Sequence, residues 1–185
     1  MLQIKALQET DPQWEQVCAY AAACSWKAGP FLAKDMTEHL FTGWERVFAA
    51  YINEEIAGYC TLARKDCIPD VPYSPYIGYM FVDEKYRGRR LSQKLIQCAM
   101  AYAGELGFSR VYLVSGEKGL YEKYGFTKLE EREDIWGNKG QIFSAALYRE
   151  GTGILLPSVS RLLLFSLFIA LFSVPRRKGQ ISLHR

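Results

Sequence analysis

Histidine is almost missing from this chain, with only His39 and His184 among 185 residues. The five cysteines, Cys18, Cys24, Cys60, Cys67 and Cys98, are odd in number and scattered, with no CxxC pair. A zinc site built from paired Cys and His ligands is therefore not expected, nor is a disulfide framework. Free thiols in a reducing cytoplasm are the plainer reading. No GxxxxGK followed by Ser or Thr occurs, which excludes the usual nucleotide-triphosphate loop. No GxGxxG follows a strand, which disfavours a dinucleotide oxidoreductase. There is no internal repeat and no low-complexity block. The start, MLQIKALQETDPQW, holds no apolar signal core, so no secretion signal is expected and the location is read as cytoplasmic.

What is present is a folding sequence, 49% hydrophobic and long enough for one domain with a sizeable core. The formal net charge of +3 conceals a split. Residues 1–148 carry 17 Lys and Arg against 19 Asp and Glu, a net −2, whereas 149–185 carry six against one, a net +5. A slightly acidic body argues against a general nucleic-acid coat, so any anion site has to be local. The division expected is a domain over 1–148 and a hydrophobic, basic extension over 149–185.

Patterning along the body predicts strand, two helices, three strands, helix, strand, short helix and two strands. QIKAL is the first strand. DPQWEQVCAYAAACSW is a helix with Asp11 as cap, Pro12 at its first position, and Trp14, Val17, Cys18 and Ala21 on one face. AKDMTEHLFTG is a shorter helix closed by Gly43. WERVFAAYI and EIAGYCTLAR are strands joined by a tight turn at Asn53-Glu54. KDCIPDVPYSP is a loop fixed by three prolines. YIGYMFVD is an aromatic and β-branched strand. A mixed order of this kind implies an α/β or α+β sheet with helices on its faces.

The next stretch, VDEKYRGRRLSQKLI, crowds Lys85, Arg87, Arg89, Arg90 and Lys94 around Gly88 and then turns into a helix. Leu91, Leu95, Cys98, Ala99, Tyr102 and Leu106 keep helical spacing up to Gly107. Cations at a helix start oppose the macrodipole. A strand that turns into a helix also presents free backbone N–H groups, a ready anion site that arginines reinforce. Either a pyrophosphate sits there, or the cations pair with Asp83 and Glu84 on a solvated turn.

A second motif follows after one more strand, RVYLVS: GLYEKYGF, Gly119 to Phe126. Together, FVDEKYRGRRLSQKLI and LYEKYGF resemble the GCN5-related N-acetyltransferase (GNAT) superfamily, and the element order resembles its fold over about 1–148. The resemblance implies a mixed, mostly antiparallel central sheet of about seven strands flanked by helices. It also implies acetyl-CoA as co-substrate. The pantetheine arm would pair with the strand Tyr79 to Val82, chiefly the backbone of Phe81 and Val82. The pyrophosphate turn falls on Arg87, Gly88, Arg89, Arg90, Leu91 and Ser92. Two positions depart from the family pattern: Arg90 stands where it has glycine, and Ser92 where it has Gly or Ala. Gly88 would then supply the backbone freedom, Arg90 a counter-charge and Ser92 a hydroxyl donor.

On the same resemblance, Tyr121 is the general acid that protonates the departing thiolate, a phenol of pKa ~10 facing a thiol of ~8.5. Read as a side chain alone, Tyr121 is a packed aromatic beside Phe126 and Tyr124, and Tyr124 is read as packing in either case. The general base stays open. YIGYMFV has no carboxylate, which leaves Asp66, Asp70, Glu117 or a water chain. The reaction implied is direct attack of a primary amine on the thioester, with backbone N–H near Val82 polarising the carbonyl. No metal and no covalent enzyme intermediate are required. Cys60 and Cys98 lie in apolar patterns without a nearby histidine.

The acceptor, a small-molecule or peptide amine, is expected against KDCIPDVPYSPY and near Trp26, Phe31 and Phe41. Asp66 and Asp70 favour a cation, and EEREDIW is either a second acidic patch or a solvated strand face. The alternative function is a non-catalytic acyl-CoA-binding module of the same fold. Nucleic acid is not an expected partner, and a homodimer is left open. In the tail, the apolar run Leu162 to Val174 would span about 20 Å as a helix, against about 30 Å for a bilayer core. The basic RRK after it lies on the wrong side for a span from the cytoplasm. Membrane contact, a self-association helix and an atypical terminus all remain open there.

Overall fold

The computed structural model describes residues 1–147. By its internal contacts the chain divides into two units, Met1–Arg149 and Glu150–Arg185. The readings of the tail lie outside the described residues. Seven strands form one sheet in the order β1-β2-β3-β4-β5-β7-β6: β1 Leu2–Leu7, β2 Arg46–Ile52, β3 Glu55–Ala63, β4 Tyr76–Val82, β5 Arg110–Ser115, β6 Thr127–Glu133 and β7 Lys139–Ala146. Every adjacent pair is antiparallel except β4 and β5. The mixed, mostly antiparallel sheet expected from the sequence is the one observed. Within residues 1–147 three α-helices accompany it, α1 Trp14–Ala23, α2 Gly29–Thr37 and α3 Leu91–Glu105. Among the described residues no helix is long and apolar enough to cross a membrane.

Both faces of the sheet carry a core. One cluster packs Leu91, Leu95, Ile96 and Ala99 of α3 onto Phe48, Cys60, Leu62, Ile77, Leu113 and Phe143. The other packs Trp14, Val17 and Ala21 of α1, and Leu32 and Met36 of α2, onto Val47, Tyr59 and Phe81. The central strand β3 is therefore buried without interruption from Ile56 to Leu62, as a strand covered on both faces must be. At the far edge, β6 is TKLEERE and almost wholly exposed. Its charges protect an edge whose backbone is otherwise ready to pair with another chain.

The helices near the N-terminus start and stop elsewhere than expected. Asp11 does not cap α1; its carboxylate accepts from Gln8 N at 2.8 Å, closing a turn, and the helix begins at Trp14. The second helix begins at Gly29 with Pro30 in its first turn, where a missing N–H costs nothing, and it ends before His39, which takes φ 58°. Gly43 lies beyond it.

Leu95, 0% exposed on the inner face of α3, tests the α3 core. Leu95→Ala is expected to cost about 3 kcal/mol of unfolding free energy, read as a lowered urea midpoint.

Candidate functional site

The site begins with a fault in β4. Gly78 pairs with Thr61 and Phe81 with Tyr59, so Tyr79 and Met80 together face the single residue Cys60. This is a β-bulge, and Tyr79 takes φ 44° to make it. After the bulge, Tyr79 and Phe81 both join the α1/α2 core, while Met80 and Val82 pack on the α3 side. The Tyr79 hydroxyl donates to Asp35 Oδ2 of α2 at 2.6 Å, and Trp26 stacks on Phe81 at 6.2 Å.

On its other side β4 leaves its neighbour. The parallel pairing with β5 consists of Tyr76 opposite Tyr112, beside the bond from Tyr112 N to Pro75 O at 2.9 Å. Past that point the register ends and a wedge opens between the strands. The residues facing it are those the sequence reading gave to a pantetheine arm, Tyr79 to Val82.

At the end of β4 the chain makes a 3-10 turn, Glu84–Tyr86, and enters α3 through Arg87, Gly88, Arg89 and Arg90. Gly88 takes φ 78° and Arg90, the residue before the helix, φ 55°. No side chain caps α3. Val82, Arg87, Gly88, Arg90, Leu91, Ser92 and Tyr124 line a cavity of about 240 Å³ there. The cations divide. Arg87 is held by Glu84 at 2.6 Å and by the Val82 carbonyl at 3.2 Å, and Lys85 pairs with Glu55. Arg89 lies 5.5 Å over the ring of Tyr86. Arg89, Arg90 and Lys94 form no ion pair among the described residues. Of the local pairings expected on a solvated turn, Arg87 with Glu84 is present, while Arg90 stands at the mouth of a helix without a side-chain cap.

Tyr124, expected to pack, does more than that. Its hydroxyl lies 3.2 Å from Ser92 Oγ at the cavity wall. Its place in the motif gave no signal of this, because the pairing crosses 32 residues. Tyr121 is 9% exposed and meets Tyr124, Phe126 and Phe143 edge-on or tilted. Burial raises its phenol above the ordinary value, with the Ser115 hydroxyl pulling the other way, so it holds its proton at neutral pH. Burial likewise raises the thiols of Cys60 and Cys98, away from the reactive thiolate form.

The acidic candidates are dispersed. Asp70 and Glu117 are exposed in loops. Asp66 is half-buried, and its Oδ1 accepts from Cys67 N at 2.6 Å. A β-carbon on Gly78 would lie 2.8 Å from Asp66 Oδ2, so the carboxylate rests against β4 beside the bulge. Burial raises its pKa. The EEREDIW acids face their own cations: Glu130 holds Arg132 and the Tyr73 hydroxyl, and Glu131 lies near Lys128 and Lys139. Asp134 accepts from Trp136 N and Asn138 N. This stretch is a solvated strand face and a turn. Phe31 pairs with Trp136 at 5.9 Å, whereas Phe41 packs edge-on to Trp14 at 6.1 Å.

The pattern of the family described as Acetyltransferase (GNAT) family matches residues 7–126. None of the curated proteins compared is similar enough in sequence to count as a relative. Among solved structures, an aminoglycoside 6'-acetyltransferase type Ii superposes with a TM-score of 0.61 at 13% identity, over 80% of this chain and 98% of its own. A GNAT family acetyltransferase from Elizabethkingia anophelis, with acetyl-CoA bound, gives 0.56 at 16%, over 79% and 98%. A spermidine N-acetyltransferase from Vibrio cholerae gives 0.57 at 15%, over 79% and 94%.

Arg90 makes the turn testable by stability alone. A non-glycine residue in the left-handed region is strained, so Arg90→Gly is expected to gain about 1 kcal/mol in urea unfolding. Arg90→Ala keeps the strain and is expected to show no such gain.

Proposed function

The chain belongs to the GNAT family of acetyltransferases, and on that premise we propose that it moves an acetyl group from acetyl-CoA to a primary amine of a small molecule or peptide. The observation that carries the reading is the uncapped start of α3, where Arg90 and the cavity at Gly88 and Ser92 meet the end of a strand whose β5-facing edge is open. Main-chain N–H groups of Leu91 and Ser92, with the positive end of the helix dipole, suit a pyrophosphate. The Arg90 guanidinium adds charge-assisted bonds, and Ser92 adds a hydroxyl steadied by Tyr124. Arg87, tied to Glu84 and Val82, positions the turn, and Arg89 stands over Tyr86 at its rim. On this reading the backbone of Phe81 and Val82 holds the pantetheine arm along the open edge of β4.

When bound, acetyl-CoA supplies an acyl group already activated as a thioester. Tyr121 then delivers its proton to sulfur as the C–S bond breaks. Its raised pKa makes it a weaker acid than free phenol. The same burial makes a thiolate more basic, so donor and acceptor move together. The acceptor class is supported by the family and by the kinds of neighbour sharing the fold, one acting on aminoglycosides and one on spermidine.

Calorimetry with acetyl-CoA is expected to show saturable binding that weakens with added salt. CoA release is then followed across polyamines, aminoglycosides, amino acids and peptide N-termini. Tyr121→Phe is expected to lower kcat about 100-fold while leaving the Kd for acetyl-CoA unchanged. Equal turnover in the variant would remove the acid role. Binding with no turnover on any acceptor would leave a non-catalytic acyl-CoA-binding protein.

A further inference from the structure

An amine is an ammonium ion at neutral pH and has no lone pair until it loses a proton. Among the described residues, β4 offers no carboxylate to take it. One does lie against it. The loop after β3 folds Asp66 over Gly78, the residue before the bulge, where only a hydrogen leaves room for Oδ2. Resting on the acetyltransferase reading above, we propose that Asp66 is the general base that accepts the proton of the acceptor ammonium.

The surroundings of Asp66 fit that task. Its neighbours include Thr61 of β3, Tyr76 and Tyr79 of β4, and Cys67 of its own loop. Asp35 reaches the same ground through Tyr79, and Asp134 acts on Cys67. None of these groups is a cation, and no Lys or Arg among the described residues pairs with Asp66. A half-buried carboxylate without a counter-charge attracts an ammonium ion. Burial raises its pKa, which makes its ionised form a stronger base than a surface aspartate. A second observation points to a polar ligand. Tyr76 is 1% exposed, responds to the charge of Asp66, and its hydroxyl has no hydrogen-bond partner among the described residues. Such a group is costly unless something polar meets it. Ile135 N donates to Cys67 O at 3.0 Å, fastening the β6–β7 turn to this loop. Trp136 of that turn faces Phe31 of α2, and the two rings are 58% and 49% exposed. Aromatic faces at the approach favour a cation.

The step balances. Asp66 takes the N–H proton, and the freed nitrogen pair forms the N–C bond. The C–S pair leaves on sulfur, which receives the Tyr121 proton. The second N–H proton, lost as the tetrahedral intermediate collapses, restores Tyr121 through solvent, and Asp66 releases its own, so an ammonium and a thioester give an amide, a thiol and one proton.

The test is the pH profile of kcat/KM with spermidine and kanamycin as probes, in wild type and Asp66→Asn, alongside acetyl-CoA calorimetry and thermal melts. The wild-type profile is expected to level off above the carboxylate pKa. Asp66→Asn is expected to be folded, to bind acetyl-CoA as wild type does, and to fall about 100-fold at pH 7. Its rate should climb about tenfold per pH unit toward the amine pKa of ~10. Gly78→Ala keeps the carboxylate but displaces it, and is expected to lose the plateau in the same way should Asp66→Asn melt early. Parallel profiles in wild type and variants would overturn the assignment while leaving acetyl transfer intact. Wild type that binds no acetyl-CoA and turns over neither probe would overturn both.

Discussion

The extra residue in β4 governs what the rest of the sheet can do. Without it, Ile77 and Tyr79 would share a face, because strand side chains alternate; across the bulge Ile77 packs on the α3 side and Tyr79 joins the α1/α2 core. The bulge disrupts β4 just past Tyr76, the residue at which its pairing with β5 ends. A slot opens in the middle of a sheet that is otherwise fully paired, and the strand ends where α3 begins. The left-handed Tyr79 costs on the order of 1–3 kcal/mol. Its bond to Asp35 and its contact with Trp26 hold it in place.

Much of this was legible before the structure. Long periodic segments declared themselves: the apolar spacing of Leu91, Leu95 and Ala99 gave α3, and the Asn53-Glu54 turn gave the β2–β3 hairpin, with φ of 50° and 71° at the two positions. The charged β6 read as a solvated strand. Local signals misled where two of them competed. Asp11 and Pro12 look like a helix start, yet Asp11 spends its carboxylate on the turn at Gln8. Gly43 looks like a helix stop, but His39 had already left the helical region.

The site was only half visible. The basic turn could be located because cations at a helix mouth conflict with its dipole. The bulge could not, since tyrosine gives no warning of a positive φ. Nor could the contact between Ser92 and Tyr124, or the place of Asp66 against Gly78, because each depends on segments brought together by topology. In the sequence, Asp66 looks no different from Asp70. What separates them is that a glycine on the neighbouring strand leaves one of the two somewhere to rest.

The opening between β4 and β5 passes from one face of the sheet to the other. Helix α3 packs on one face of the sheet, and α2, whose Phe31 meets Trp136, packs on the other. On the proposed reading, donor and acceptor therefore approach from opposite sides and meet inside the sheet. Neither occupies the other's berth, so both are aboard when the bond is exchanged, and a bisubstrate conjugate joining the carrier's sulfur to an amine would have to thread the sheet from side to side.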